Sequence, residues 1–132
     1  MRHAAENPAD LHDPTAWGYS HTARVEGPAS LVFVAGQFGS NSDGSVVSGA
    51  FAAQVEQAFA NLETALRAHG LSLSDVVQLR TYVVGLDFDA LGAITQAIKG
   101  HWPDTPPTQT VLGVAALATP EIRFEVEAVA AG

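Results

Sequence analysis

The residue pair best suited to chemistry in this 132-residue sequence is Glu125 and Glu127. They stand two apart in a segment, Ile122 to Ala130, whose apolar residues alternate as in a β-strand. Both side chains therefore leave the same face of the strand, about 7 Å apart, which suits general acid and base catalysis. Burial at an interface would raise the pKa of such a carboxyl group toward the range of a useful base. The alternative is that both carboxylates are solvated or paired with Arg123 or Arg80.

Two other polar residues are candidates for a site. Tyr19 stands where the irregular N-terminal part of the chain ends, and its phenol could serve a cleft or only packing. Gln37 follows a predicted strand and lies between Gly36 and Gly39. Its amide could point into a cleft or stabilise a turn, and the sequence leaves both alternatives open.

The sequence predicts no metal site and no cofactor. Its five histidines are scattered, without a pair at the spacing of a metal-binding helix: His3, His12, His21, His69 and His101. A Gly-x-Ser-x-Gly motif, a phosphate-binding glycine loop and a dinucleotide fingerprint are all absent. Serine nucleophiles and nucleotide cofactors are therefore not expected.

Composition narrows the class of protein further. Six Lys and Arg against 14 Asp and Glu give a formal net charge of -8, which disfavours nucleic acid and anionic membranes as partners. Hydrophobic residues make up 47% and charged residues 15%, which predicts one folded domain with some surface buried between subunits. No apolar run approaches the ~20 residues of a membrane span. Since cysteine is absent, we expect a reducing, cytoplasmic setting.

The pattern of elements predicts an α+β fold in the order βββαβαββ, with two helices on one face of a mixed sheet. Residues 1–18 are predicted to form an irregular arm, and residues 19–132 a single domain. The predicted strands are 21–26, 31–35, 46–47, 76–84, 108–114 and 122–130, and the predicted helices begin at Phe51 and Asp87. The first two strands are predicted to form a hairpin at Gly27-Pro28.

Such a sheet has a second face that no helix covers. The residues predicted on it are Gln78, Arg80 and Tyr82 from the fourth long segment and Arg123, Glu125 and Glu127 from the last. A surface of this mixed polarity is better explained by packing against partner sheets around a symmetry axis than by contact with water. We therefore expect a homo-oligomer with sites at its subunit junctions.

From about residue 17 to 130, the chain resembles the RidA/YjgF family of small trimeric enamine and imine deaminases. The segments that carry the resemblance are Gly18-Tyr19-Ser20-His21, Leu31-Val32-Phe33-Val34-Ala35-Gly36-Gln37, Gln54 with Asn61-Leu62 and Leu66, Gly70 with Asp75-Val76-Val77, Tyr82-Val83, Pro106-Pro107 and Phe124-Glu125-Val126-Glu127-Ala128. The resemblance implies a chorismate-mutase-like fold and a homotrimer with three clefts between neighbouring subunits. It also implies hydrolysis of enamines and imines to a carbonyl compound and ammonia, without metal or cofactor.

The family's site residues are only partly present. Tyr19 stands where the family has its cleft tyrosine, and Glu125 where it has the glutamate thought to hold or deprotonate the attacking water. The serine that commonly precedes the family's Gly-Gln is Ala35 here, before Gly36 and Gln37, so one hydroxyl of this substrate-binding segment is missing.

The largest departure from the family lies at Gln109. Counted from Pro107 and Leu117, Gln109 occupies the place of the arginine that clamps the substrate carboxylate. The exchange removes charge-assisted hydrogen bonds worth about 1.5–3 kcal/mol, unless Arg80 supplies a substitute cation. The cleft asparagine of some deaminases falls on Gly92.

These residues favour a small-molecule enzyme whose substrate is an imine, an enamine or a related intermediate, but not a free α-imino acid. In this hypothesis Glu125 is the base toward water, Tyr19 bonds the reacting nitrogen, and Gln109 is a neutral donor. The alternative is a ligand-binding or regulatory trimer that keeps the fold without the chemistry. An endoribonuclease activity, described for some members of the family, ranks last because the sequence has no basic stripe.

Overall fold

The helices and strands follow the order βββαβαββ in residues 3–132, the part of the chain that the computed structural model describes. The strands are β1 (His3–Glu6), β2 (Thr22–Val25), β3 (Leu31–Phe38), β4 (Val76–Val84), β5 (Thr108–Val114) and β6 (Phe124–Ala131), and the helices are α1 (Phe51–Arg67) and α2 (Phe88–His101). Four strands form one sheet in the order β3-β6-β4-β5, in which β4 and β5 are parallel and the other neighbours antiparallel. The predicted α+β class and mixed sheet are confirmed.

The core lies between this sheet and the helices. Helix α1 buries one apolar face along β3 and β6, because its apolar residues recur every three or four positions. Strand β6 buries every second side chain, and the inward set matches the predicted alternation: Ile122, Phe124, Val126 and Ala128. The other face of the sheet keeps apolar residues in the open, since Phe33 is 74% exposed.

The N-terminal segment differs from the prediction. His3–Glu6, inside the arm predicted to be irregular, is strand β1 and pairs antiparallel with β2. Strand β3 pairs with β6, so the hairpin predicted between residues 21–26 and 31–35 is wrong. The sequence His-Ala-Ala-Glu has no apolar alternation that would indicate a strand, and its pairing is decided by a distant segment. The arm's first residues, Met1 and Arg2, lie outside the described residues.

The predicted strand at Val46-Val47 is also wrong. Only Val46 makes an isolated bridge, to Ser40, and the chain then turns toward α1. The turn predicted from Asp43-Gly44 does form: Ser45 donates its N–H to the Asp43 carboxylate at 3.0 Å, and Gly44 has a φ of +87°. The order βββαβαββ therefore holds because β1 takes the place of a strand that does not form.

A buried amide joins α1 to two loops. The Gln54 side chain is fully buried and donates to the carbonyl oxygens of Ser48 at 2.9 Å and Glu121 at 3.0 Å. Its amide oxygen accepts the N–H of Arg123 at 2.9 Å. A Cβ atom at Gly39 would lie 2.7 Å from the Gln54 Cα, so the helix rests directly on the end of β3. The contacts of Gln54 therefore fix the end of β3 and the start of β6, which flank Glu125.

Two structural features bear on membranes and metals. Within residues 3–132, no helix is both long enough and apolar enough to cross a membrane. In the same described part of the chain, His, Asp and Glu side chains do not gather in groups of three that could hold a metal ion.

Candidate active site

Tyr19 is held between strand β5 and helix α2 by its two neighbours. Ser20 is buried, with its hydroxyl donating to the Pro106 carbonyl at 2.5 Å and its N–H donating to the Pro107 carbonyl at 3.1 Å. Gly18 has a φ of +79°, a conformation that favours glycine, and lies against α2. The backbone on both sides of Tyr19 is therefore fixed, and the phenol ring lies beside the first residues of β5.

Tyr19 and Gln109 line the same cavity, whose volume is about 470 Å³. The residues that surround it are His12, Trp17, Tyr19, Leu91, Gln109, Thr110 and Val111. None of them is a lysine, arginine, aspartate or glutamate. The amide oxygen of Gln109 accepts a hydrogen bond from the Thr81 hydroxyl at 3.3 Å, which leaves the amide N–H₂ group as a neutral donor. The structure thus brings two of the predicted site residues together in a cavity without formal charge.

A larger cavity, of about 910 Å³, shares residues with the first. Tyr19, Gln109 and Thr110 line it as well, and it extends beneath β2 and the turn at Gly27 as far as Val129. Tyr19 and Gln109 therefore border both cavities.

Glu125 lies on the open face of the sheet, away from these cavities. It is directly opposite Phe38 on β3 and Tyr82 on β4. A Cβ atom at Gly36 would come within 2.4 Å of one Glu125 carboxylate oxygen. The missing side chain of Gly36 therefore makes the space that the carboxylate occupies, which gives this glycine of the predicted substrate-binding segment a definite role.

Burial and like charge both act on the Glu125 carboxylate. Burial raises its pKa, and the negative charge of Glu127 raises it further. Glu127 accepts a hydrogen bond from the Tyr82 hydroxyl, and this bond, with burial, raises the pKa of Tyr82. Among residues 3–132 the arginines form no ion pair with these two glutamates, and the Arg123 guanidinium lies 5.2 Å from the centre of the Phe51 ring instead. Glu125 is thus an unpaired carboxylate with a strengthened basicity.

This raised pKa predicts how stability depends on pH. A carboxyl group whose pKa is higher in the folded state stabilises the fold while it is protonated, and this stabilisation is lost as the pH rises through the folded-state pKa. Glu125→Gln is therefore expected to raise Tm by a few degrees at pH 7 and to have no effect near pH 4, below the ordinary value of 4.5. Thermal unfolding followed at both pH values checks this, with the exposed Glu56→Gln as a control. A gain that is equal at both pH values would contradict it.

Within one chain, Glu125 does not reach Tyr19 and Gln109. Gln109 pairs with Leu79 of β4, whereas Glu125 pairs with Tyr82, three residues further along the same strand. This register places Glu125 and Gln109 about 10 Å apart along the strand direction and about 10 Å apart across the sheet. The two residues are therefore about 14 Å apart in all. Leu79 is also buried under the helices, while Glu125 is on the opposite face.

The remaining predicted residues occupy the open face or bond locally. The Gln37 side-chain amide donates to the Ala35 carbonyl at 3.0 Å, and Ala35 itself is exposed on β3. Arg80 lies beside Phe33 and Glu127 around a small hollow of about 230 Å³, and it lines neither cavity that contains Gln109.

Sequence reasoning missed three residues of the site. His12, Trp17 and Leu91 share the cavity with Tyr19 and Gln109. His12 and Trp17 belong to a stretch without periodicity, so no local pattern indicates that the chain returns to the cleft there. Leu91 was predicted to face inward on α2, and it is half-buried beside the cavity.

Comparison with known proteins gives consistent results. Residues 11–132 match the protein family described as Endoribonuclease L-PSP. A 2-iminobutanoate/2-iminopropanoate deaminase of Rattus norvegicus is 33% identical over 119 residues, which cover 89% of this chain and 82% of that protein. YyfB of Yersinia pestis, a protein of unknown function in the conserved Rid family, shares the fold with a TM-score of 0.91 and 34% identity over 98% of both chains. E. coli TdcF with bound serine has a TM-score of 0.67 and 25% identity, covering 78% of this chain and 81% of that one.

Proposed function

The chain belongs to the Endoribonuclease L-PSP family, which includes the Rid proteins, and from this premise we propose that it hydrolyses a neutral imine or enamine to a carbonyl compound and ammonia. The observation that carries the proposal is that Tyr19 and Gln109 line one cavity whose lining has no formal charge. Relatives described as 2-iminobutanoate/2-iminopropanoate deaminases support the reaction class. No metal or cofactor is part of the proposal.

The chain's residues can supply each proton transfer of the reaction. Glu125 takes a proton from water while the water oxygen attacks the C=N carbon. The Tyr19 hydroxyl gives a proton to the nitrogen, which forms a carbinolamine. Protonated Glu125 then returns its proton to the nitrogen, and the carbinolamine hydroxyl loses its proton to water as the C–N bond breaks and ammonia leaves. Gln109 donates a neutral hydrogen bond to a carbonyl or hydroxyl group of the substrate. The raised pKa of Glu125 supports its role as the base.

The separation of Glu125 from the cavity of Tyr19 and Gln109 supports a site built by two subunits. One chain leaves Glu125 and Gln109 about 14 Å apart, whereas neighbouring subunits around a three-fold axis can bring the open face of one chain to the cavity of the next. Exposed apolar side chains on the open face, Phe33 and Leu31, favour such packing. We therefore propose a homotrimer with clefts between subunits, working in the cytoplasm. In this assembly Ala35, Gln37 and Arg80 lie close to the neighbouring chain.

The lining of the cavity favours a substrate without a carboxylate next to the imine. Gln109 provides a neutral amide at the position where an arginine guanidinium would form two parallel hydrogen bonds with a carboxylate. Trp17, Leu91 and Val111 provide an apolar wall on the same cavity. An imine with an apolar or aromatic substituent matches both features, because its substituent can displace water from the wall while its nitrogen meets Tyr19.

The experiment that tests this substrate class compares two imines. The wild type is expected to accelerate hydrolysis of the imine that an amine oxidase releases from benzylamine, and to act weakly on 2-iminobutanoate. Gln109→Arg should improve 2-iminobutanoate hydrolysis by about tenfold, equal to about 1.4 kcal/mol of transition-state stabilisation. Gln96→Arg, exposed on helix α2 and outside both cavities that contain Gln109, serves as a control for added charge alone. Rapid 2-iminobutanoate hydrolysis by the wild type would show that another group, such as Arg80, binds the carboxylate.

A ligand-binding trimer without catalysis is the second candidate, and specific residues favour it. Ala35 lacks the hydroxyl, and Gln109 the charge, that the resemblance leads one to expect. Such a protein would bind small neutral molecules without turning them over. Cleavage of RNA is not expected, because the net charge of -8 repels phosphate backbones.

A further inference from the structure

The N-terminal segment places a histidine against the candidate catalytic tyrosine. His12 Nε2 lies 2.5 Å from the Tyr19 hydroxyl oxygen, a short hydrogen bond between two side chains that both line the cavity with Gln109. His12 is exposed, so its ring can exchange protons with water. This contact joins the reacting phenol to solvent through one imidazole.

The position of His12 is fixed by contacts outside the cavity. His21 Nε2 donates to the His12 carbonyl at 2.8 Å, and the two rings meet edge to face with their centres 4.7 Å apart. The His21 N–H donates to the Asn7 side-chain oxygen at 2.6 Å. Because the segment is also anchored by the pairing of β1 with β2, His12 is held toward Tyr19 by several independent interactions.

Tyrosine alone is a weak acid for this chemistry, since a phenol ordinarily titrates near pH 10. Histidine ordinarily titrates near neutral pH and is the side chain best suited to pass protons there. A phenol that gives a proton to a leaving nitrogen must also recover one before the next turnover. The group within hydrogen-bond distance that can return it is His12.

We infer that His12 is a positioning residue that orients the Tyr19 hydroxyl and restores its proton during hydrolysis. Tyr19 gives its proton to the departing nitrogen, the His12 Nε2–H gives a proton to the Tyr19 oxygen, and His12 regains one from water. Glu125 takes the proton lost by the attacking water and returns it to the nitrogen as ammonia leaves. The inference rests on the proposed function. It adds His12 of the N-terminal segment to the residues that take part in the reaction.

The charged and titratable groups around His12 are few. Tyr19 and His21 face its ring, and Asp13 is the next residue in the chain. The Asp13 carboxylate is already occupied by the N–H and hydroxyl of Thr15. Since the relay needs a proton on His12 Nε2, activity should fall at alkaline pH.

The test uses His12→Gln, Tyr19→Phe and the double variant with the benzylamine-derived imine. His12→Gln is expected to lower kcat about tenfold or more and to remove the alkaline fall from the pH profile. The double variant should be no slower than Tyr19→Phe, because both residues act on one proton transfer. The exposed His69→Gln is the matched control. An unchanged pH profile in His12→Gln, or additive losses in the double variant, would overturn the inference.

A second measurement separates this inference from the proposed function. NMR of the imidazole rings, recorded from about pH 5 to 9, should show the His12 signals shifted in Tyr19→Phe while the His69 signals stay in place. Unshifted His12 signals overturn the inference whatever the activity. Absence of any imine hydrolysis with shifted His12 signals counts against the proposed function and leaves the coupling of His12 to Tyr19 supported.

Discussion

Glu125→Gln is expected to lower kcat/KM for a neutral imine by about 10²–10⁴-fold, the usual range for the loss of a general base. The glutamine keeps the size of the side chain, and Gly36 still leaves room for it, so the change removes the basic group without disturbing the sheet. Stopped-flow measurement of carbonyl release, corrected for spontaneous hydrolysis, gives the ratio. The variant should remain folded, because it removes a partly buried charge that lies near Glu127.

Glu127→Gln is the matched control for this loss. It lies on the same strand and face, but its carboxylate is engaged by Tyr82. Its removal is expected to weaken Glu125 only through the lost negative charge, which helps to raise the pKa of Glu125. The loss of activity should therefore be much smaller. Full activity in Glu125→Gln would remove Glu125 from the mechanism, and equal losses in both variants would point to a purely structural effect.

Gln54→Leu is expected to destabilise the protein by about 3 kcal/mol, or roughly 10 °C in Tm. Leucine fills a similar volume but leaves the Arg123 N–H and the carbonyl groups of Ser48 and Glu121 without their partner. A buried unsatisfied group costs about 1–3 kcal/mol, so the loss of three bonds outweighs any gain in apolar burial. Denaturant unfolding monitored by circular dichroism measures the difference.

Gln57→Leu, one turn further along the same helix, is the control for Gln54. Its amide is half-buried and bonds only Asn61, whose own amide still reaches the Phe38 carbonyl. The expected cost is about 0.5–1 kcal/mol. A Gln54→Leu variant as stable as this control would show that the buried amide does not hold the loops to α1.

The parts of the fold that follow from local pattern are the ones the sequence predicts well. Helix α1 and strand β6 have clear periods of about 3.6 and 2 residues, and the structure buries the residues that those periods place inward. The strand at His3–Glu6 has no such period. It forms because residues 22–25 supply its hydrogen bonds, and this pairing depends on the path of the chain in between.

In the candidate site, too, some features could be predicted from the sequence and others depend on how distant segments come together. Tyr19 and Glu125 are candidates from their residue types and positions, Gln109 is predicted through the resemblance, and the structure brings Tyr19 and Gln109 together. The bond between His12 and Tyr19 could not be predicted, because it depends on how a segment without periodicity folds back over the cleft. The distance of Glu125 from both is likewise a consequence of strand order, which a single linear pattern does not determine.

The most direct test of the account mixes two inactive variants, Glu125→Gln and Tyr19→Phe, after dissociation and reassembly. If each site takes Glu125 from one subunit and Tyr19 from its neighbour, an equal mixture should recover about a quarter of the wild-type rate on the benzylamine-derived imine, because half of the subunits supply Glu125 and half of their neighbours supply Tyr19. The unmixed variants, treated in the same way, provide the baseline. A mixture no more active than the unmixed variants would contradict a site shared between Glu125 of one chain and Tyr19 of the next.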